Sequence, residues 1–167
     1  MRLRALFATL LALPLLIAAV PQQHKDIVDI AASNDDFETL VAAVQAAGLV
    51  DVLKSDGPFT VFAPTDEAFA RLGDNTIRTL LRPENRDQLT AILTYHVVPG
   101  DFSAREIGRL DELDTVQGEA LSLGSRIDNA ELIATDIEAS NGRIHVIDRV
   151  LMPREMPPQR RASRSHH

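Results

Sequence analysis

The spacing of apolar residues changes halfway along this 167-residue chain, and that change limits the fold class more than any other feature. In the first half the apolar residues recur at helical spacing, with Leu40, Val41 and Val44 on one face. In the second half they occur in short runs between turn residues, and Asn141-Gly142 is the strongest hairpin signal. Helices followed by a meander of strands predict one α+β domain.

Capping and breaking residues mark where the predicted helices begin and end. Asn34 or Asp35 is a suitable N-cap for the second helix, Gly48 can end it, and Thr65 is a suitable N-cap for a later one. The residues predicted to be helical are 26–32, 37–47, 49–55, 65–72, 76–81 and a helix from Pro83 that Val97-Val98-Pro99-Gly100 closes.

Short runs of β-branched and aromatic residues predict the strands. The first follows a breaker cluster at residues 56–58, and the others lie in the second half. Turns are expected at residues 117–118, 128–129 and 141–142. The predicted strands are 59–63, 113–116, 120–123, 131–134, 144–147 and 150–152.

The two ends of the chain differ from the rest in composition. A cationic start at Met1 to Arg4 precedes sixteen mostly apolar residues, whose helix would span about 24 Å and so fall short of a bilayer core of about 30 Å. Residues 1–19 are therefore predicted to be a signal peptide, with an uncleaved anchor as the alternative. Residues 154–167 carry four Arg and one Glu and predict a disordered basic tail, which leaves 24–153 as the domain.

The charge of the central part limits its partners. Residues 21–153 hold 11 Lys and Arg against 23 Asp and Glu, a net charge of −12. Such a surface repels nucleic acid and anionic lipid. The chain has no Cys, which excludes disulfides, thiolate nucleophiles and Cys-ligated metals. We therefore expect an exported acidic domain with no nucleic-acid partner and no stable membrane span after signal cleavage.

The sequence contains none of the common catalytic motifs. It has no G-x-S-x-G elbow, phosphate loop, G-x-G-x-x-G or H-E-x-x-H pattern, and its His residues are too dispersed for a metal site. Paired carboxylates for glycoside chemistry stay open, since three-dimensional distance decides them. We expect no enzyme activity, no cofactor and no metal.

Two histidines fall among apolar residues. His96 continues the apolar face of the helix that contains Leu89, Ile92 and Leu93, and His145 alternates with apolar residues in a strand. The first interpretation is a buried, neutral ring bonded to a backbone carbonyl or a hydroxyl. The alternative is an imidazole that senses pH or contacts a ligand.

Three segments in this order resemble the fasciclin domain family: residues 60–69, Tyr95-His96, and residues 141–151. The resemblance implies a wedge-shaped α+β fold, a bent antiparallel β-sandwich of about seven strands with helices packed along one edge. The hallmark residues are expected to act by capping, turning and packing. They are Thr60, Phe62, Pro64, Thr65, Phe69, Asn141, Gly142, His145 and Asp148.

The resemblance also implies a function. It indicates a secreted or periplasmic, non-enzymatic adhesion or interaction module that binds a protein or polysaccharide of the envelope or extracellular matrix. In vertebrate members, integrin recognition is attributed to the Tyr-His segment and to an Asp-Ile pair, which correspond here to Tyr95, His96, Asp136 and Ile137. The excess of 15 Arg over 2 Lys suggests a bacterial source. The alternative function is carriage of a small apolar ligand such as a carotenoid.

Overall fold

The computed structural model describes residues 24–156. The predicted signal peptide and residues 157–167 of the predicted tail lie outside this part of the chain. The helices within it are α1 (Ile27–Ala32), α2 (Glu38–Ala47), α3 (Val50–Leu53), α4 (Asp66–Leu72), α5 (Asp74–Leu80), α6 (Arg86–Tyr95) and α7 (Ala104–Ile107). The strands are β1 (Phe59–Pro64), β2 (Val97–Pro99), β3 (Glu112–Asp114), β4 (Ala120–Ser122), β5 (Leu132–Ala139) and β6 (Gly142–Ile147).

The predicted helix ends are confirmed by their caps. The side chain of Asn34 accepts a hydrogen bond from the N–H of Asp36 at the start of a 3-10 turn that leads into α2. Gly48 ends α2 with a φ of 72°, a left-handed conformation that glycine adopts without a steric cost. The side chain of Thr65 accepts from the N–H of Ala68 and so caps α4. These local signals determine the helical half of the fold.

Four strands form one sheet in the order β2-β1-β6-β5, and β3 and β4 form a separate hairpin. The expectation of an antiparallel sandwich is wrong for the central pair, because β1 and β6 run parallel in register from Phe59↔Gly142 to Pro64↔Ile147. The segment between them contains helices α4 to α7 and returns the chain to the same end of the sheet. The α+β class is confirmed, with six strands in the described residues where about seven were expected.

Two predicted element boundaries are also wrong. Residues 97–99 form strand β2 rather than the end of a helix, since Val97 and Val98 pair with β1. Residues 150–152 form no strand, although Val150 and Leu151 are buried. The N–H of Leu151 donates to the ring of His96, so a side chain takes the place of a neighbouring strand as its acceptor.

The sheet separates two apolar cores. Helices α1 to α6 pack on one face, where Ile144 and Val146 of β6 point. On the other face Phe62 and Ile147 pack with the β3–β4 hairpin. The alternation of β6 predicted from the sequence is confirmed, and helices α1 to α6 cover a face of the sheet rather than one of its edges. Ile107 of α7 packs in the core on the other face.

The chain makes further hydrogen bonds beyond residue 153, the predicted end of the domain. The N–H groups of Arg154 and Glu155 both donate to the carboxylate of Glu119, at 2.9 and 3.0 Å. The boundary at residue 153 stays a prediction. Among residues 24–156, no helix has both the length and the apolar character that a membrane crossing requires.

Candidate interaction site around Asp136

Asp136 lies on the edge strand β5, where the strand is irregular. The pairing of β5 with β6 shifts register between Leu132 and Ala134 and again between Ala134 and Ile137. Asp136 lies within the second shift with a φ of 59°, a left-handed conformation that Asp tolerates better than most residues. Such a bulge at a sheet edge re-aims a side chain. Here it allows the carboxylate to reach the loop that follows β2.

The carboxylate of Asp136 is held by two donors. Its Oδ1 accepts from the N–H of Ala104 at 3.0 Å and from Nη1 of Arg143 at 2.9 Å. These donors, the backbone N–H of Ala104 first, hold the pKa of Asp136 below its ordinary value. The Asp136 side chain is nevertheless 40% exposed to solvent. The site therefore presents a fixed negative charge to solvent.

Arg143 joins this charge to a second carboxylate. Its Nε donates to Oδ1 of Asp101 at 2.7 Å while its Nη1 contacts Asp136. Asp101 keeps 46% of its side-chain exposure, whereas Arg143 keeps 18%. The two acids thus face solvent with the cation between and beneath them.

His145 supports the site from inside the protein. Its Nδ1 accepts from the N–H of Asp136 at 3.2 Å, so the proton lies on Nε2, which donates to the carbonyl of Phe102 at 2.8 Å. The ring is fully buried and stacks on Phe62 at a centroid distance of 5.8 Å. Burial lowers the pKa of His145. The interpretation of a buried, backbone-bonded histidine is confirmed, and its partners are the backbone of the site itself.

Thr60 fixes the other side of the same loop. Its hydroxyl donates to the carbonyl of Gly100 at 2.7 Å and accepts from the N–H of Phe102 at 2.9 Å. Two hallmark residues, Thr60 and His145, therefore hold residues 100–102 against the sheet. Thr60, His145 and the predicted contact residue Asp136 therefore belong to one hydrogen-bonded assembly.

The exposed residues near Asp136 define the surface that a partner could reach. All of residues 133–136 are exposed, and Ile133 keeps 58% of its exposure, a large value for an apolar side chain. Ile137 is partly buried and packs against the helical core. We use "Asp136 surface" for Asp101, Ile133 and Asp136. Sequence reasoning missed Ile133, because it lies inside the predicted strand 131–134, and the local pattern does not show that the pairing of β5 with β6 shifts register between Leu132 and Ala134.

Tyr95 and His96 lie inside the protein and not on this surface. They are 1% and 2% exposed. The hydroxyl of Tyr95 donates to Asp128 at 2.7 Å, and burial followed by that bond raises its pKa. Neither ring can touch a partner at the surface of this structure. Of the four residues expected to meet a partner, only Asp136 and Ile137 lie beside one another near solvent.

His96 ties the end of α6 to the returning chain. Its Nδ1–H donates to the carbonyl of Ile92 at 2.7 Å, and its Nε2 accepts from the N–H of Leu151 at 2.9 Å. Burial lowers the pKa of His96 to about 4, so the ring is neutral at pH 7. The interpretation of a neutral ring bonded to a carbonyl is confirmed.

The remaining hallmark residues make structural contacts. The side chain of Asn141 accepts from the N–H of Ile27 at 3.0 Å and donates to the carbonyls of Leu53 and Ser55 at 2.6 and 2.9 Å. It therefore joins α1, the end of α3 and the β5–β6 turn. Gly142 lies close to the carbonyl of Phe59, Thr65 caps α4, and Phe62, Pro64 and Phe69 are buried. The carboxylate of Asp148 accepts a hydrogen bond from the N–H of Glu131 and forms an ion pair with Arg71.

One apolar cavity inside the described part of the chain is small for a ligand. An apolar cavity of about 40 Å³ lies between α1 to α3 and the sheet, with His96 among its lining residues. Ligand pockets usually measure about 300–1,000 Å³. Among residues 24–156, no group of three or more His, Cys, Asp and Glu is arranged to hold a metal ion.

Comparison with known proteins agrees with this architecture. A fasciclin domain model matches residues 35–153. The uncharacterized protein sll1735 of Synechocystis is 53% identical over 131 residues, which is 76% of this chain and 97% of that protein. The immunogenic protein MPB70 of Mycobacterium bovis is 40% identical over 147 residues, which is 81% of this chain and 74% of that protein. A solved FAS1 domain pair from the insect cell adhesion molecule fasciclin I matches the fold with a TM-score of 0.70 at 19% identity, and the match covers 78% of this chain and 51% of that one.

Proposed function

The chain belongs to the fasciclin domain family, and on that premise we propose that it is a secreted or periplasmic, non-catalytic interaction module. Its partner is a protein or polysaccharide of the envelope or extracellular matrix. The Asp136 surface makes the contact. The related insect structure comes from a cell adhesion molecule, and this supports the adhesive role.

The observation that carries this proposal is the held carboxylate of Asp136. An exposed acid on an ordinary loop is free to rotate, and ordering it on binding costs conformational entropy. Asp136 is already fixed by Ala104 and Arg143 on its side chain and by His145 on its backbone. Preorganisation of this kind favours recognition, and the exposed Ile133 adds apolar area on the same strand.

The partner is recognised by side chains rather than by addition of a strand to β5. The register shifts and the left-handed Asp136 interrupt the outer row of hydrogen-bonding groups that an added strand would need. A partner with cationic or hydroxyl groups fits the two exposed carboxylates of Asp101 and Asp136.

A binding comparison tests the proposal. The purified protein is immobilised and exposed to envelope extract and to matrix extract, and bound material is eluted and titrated against it. We expect a saturable partner whose affinity falls about tenfold for Asp136→Asn and several-fold for Ile133→Ser. Asp74→Asn, an exposed acid at the start of α5, is the matched control and binds as the wild type does. Equal binding by Asp136→Asn and Asp74→Asn would overturn the assignment of the surface.

The alternative of an apolar-ligand carrier receives no support from the interior. The cavity of about 40 Å³ is several times smaller than a typical ligand pocket and far too small to enclose a carotenoid. Native mass spectrometry of protein purified from its own host is expected to give the ligand-free mass.

A further inference from the structure

The turn between β5 and β6 contains a chemically reactive pair, Asn141-Gly142, that the proposed function does not use. An Asn that precedes Gly loses its side-chain amide most readily, because glycine has no Cβ to hinder attack by its backbone nitrogen on the neighbouring side chain. In this chain Asn141 is followed by Gly, whereas the residues that follow the other four Asn are Asp35, Thr76, Arg86 and Ala130. Asn141 is therefore the most reactive Asn of the chain.

The reaction exchanges the side-chain amide of Asn141 for a carboxylate, with water as the only reagent consumed. The backbone nitrogen of Gly142 gives its proton to base and forms a bond with Cγ of Asn141. The bond from Cγ to Nδ2 then breaks, and Nδ2 takes a proton from water and leaves as ammonia. The cyclic imide that remains adds one water molecule and opens to aspartate, or to isoaspartate, in which the backbone runs through Cγ.

The folded protein fixes the Asn141 side chain in a way that opposes this reaction. Its Oδ1 accepts from the N–H of Ile27 at 3.0 Å, and its Nδ2 donates to the carbonyls of Leu53 and Ser55 at 2.6 and 2.9 Å. Asn141 is only 8% exposed, and its own carbonyl accepts from the N–H of Phe59 at 3.1 Å. Ring closure has to break the three side-chain bonds and bring base to a buried position, so it requires the chain to unfold.

The products do not fit the place that Asn141 occupies. A carboxylate has no hydrogen to donate, so its oxygens would face the carbonyl oxygens of Leu53 and Ser55 in place of two N–H bonds. Burial of a charge without a partner is strongly unfavourable. Isoaspartate also adds one atom to the backbone of the turn and so shifts the register in which Gly142 pairs with Phe59 and Ala139.

We propose that Asn141 is a modification site controlled by folding. The folded domain protects the amide, whereas a chain that stays unfolded loses ammonia at Asn141 and then no longer refolds. The unfolded fraction of a folded protein is about 10⁻³ or less, so conversion in the folded protein is slower by about a thousandfold or more. The site thereby limits the time for which an unfolded chain remains able to fold.

Incubation of the full chain at mildly alkaline pH, in buffer and in guanidinium chloride, tests the proposal. Peptide mapping by mass spectrometry follows conversion at Asn141, with the other four Asn as internal controls, and dilution from denaturant gives the fraction that refolds. We expect conversion at Asn141 about a thousandfold faster in denaturant, and a refolding fraction that falls in step with it. In buffer, His96→Ala should raise the rate about a hundredfold, because it raises the unfolded fraction.

The variant Asn141→Asp reproduces one product without the reaction. We expect its refolded fraction to be at least about tenfold lower than that of the wild type. Asn75→Asp is the matched control, since it makes the same change at an exposed position in the first turn of α5, and it should fold as the wild type does.

Three results would overturn the proposal. Equal conversion rates in buffer and in denaturant would show that the fold does not protect Asn141. A rate in buffer that His96→Ala leaves unchanged would show that unfolding does not control the reaction. Normal refolding of the converted chain, or of Asn141→Asp, would show that the products fit the folded turn.

Discussion

His96 and His145 use the same chemistry in two different parts of the molecule. In each ring one nitrogen accepts from a backbone N–H and the other donates to a backbone carbonyl. His96 joins two interior segments, the end of α6 and Leu151. His145 joins a strand to the loop that carries the Asp136 surface. The difference shows that a family hallmark can stabilise the core at one position and position a surface charge at another.

The largest effect is expected from removing the interior ring. His96→Ala leaves the buried N–H of Leu151 without its acceptor and opens a cavity in the core, so we expect the free energy of unfolding to fall by about 3 kcal/mol. Urea unfolding at pH 7 measures this. Partner affinity of the folded fraction should not change. A loss of affinity with unchanged stability would show that His96 acts in binding.

The pH dependence of stability tests whether the His96 ring is buried and neutral in the folded protein. The pKa of His96 is about 4 in the folded state and 6.5 in its ordinary state, so between these values the unfolded chain binds more protons on this group. Stability therefore rises with pH through this window, and about 3 kcal/mol is lost as pH falls from 6.5 to 4. Urea unfolding across this range should show the stability gap between wild type and His96→Ala shrinking towards pH 4. A constant gap would contradict the assignment.

Removing the His145 ring, which lies beneath the Asp136 surface, should lower the free energy of unfolding by a smaller amount and disturb a smaller region. His145→Ala frees the N–H of Asp136 and the carbonyl of Phe102, groups close to solvent, and we expect a loss of about 2 kcal/mol. Amide hydrogen exchange should accelerate at residues 102–104 and 136, whereas His96→Ala should accelerate it around Leu151. Exchange that rises in the same places for both variants would remove the distinction between them.

The smallest effect on stability is expected at Asp136 itself. Asp136→Asn keeps a side chain that tolerates the left-handed backbone and still accepts a hydrogen bond, so the Tm should fall by less than about 3 °C. Asp136→Ala should lower the Tm by several degrees more, because alanine lacks that tolerance. Thermal unfolding of the two variants side by side measures this. Equal Tm values would show that the backbone conformation contributes nothing.

The sequence predicts those features that neighbouring residues determine. The Asn34, Gly48 and Thr65 caps and the Asn141-Gly142 turn are local. The burial of His96 follows from the helical spacing of the apolar residues before it, and the burial of His145 follows from the alternation of apolar residues in its strand. The parallel pairing of β1 with β6 could not be predicted from local patterns, because these strands are separated by most of the helices. The left-handed bulge at Asp136 could not be predicted from local patterns either, because it depends on Ala104 and Arg143 from other elements.

Hydrogen exchange of the complex with the recovered partner is the decisive test of the Asp136 surface, because it reports where the partner lies on the folded protein. We expect binding to slow exchange at residues 101–104 and 133–137, and to leave residues 92–96 as they are in the free protein. Slowed exchange confined to surfaces away from Asp136 would show that the partner binds elsewhere and would refute the proposed contact.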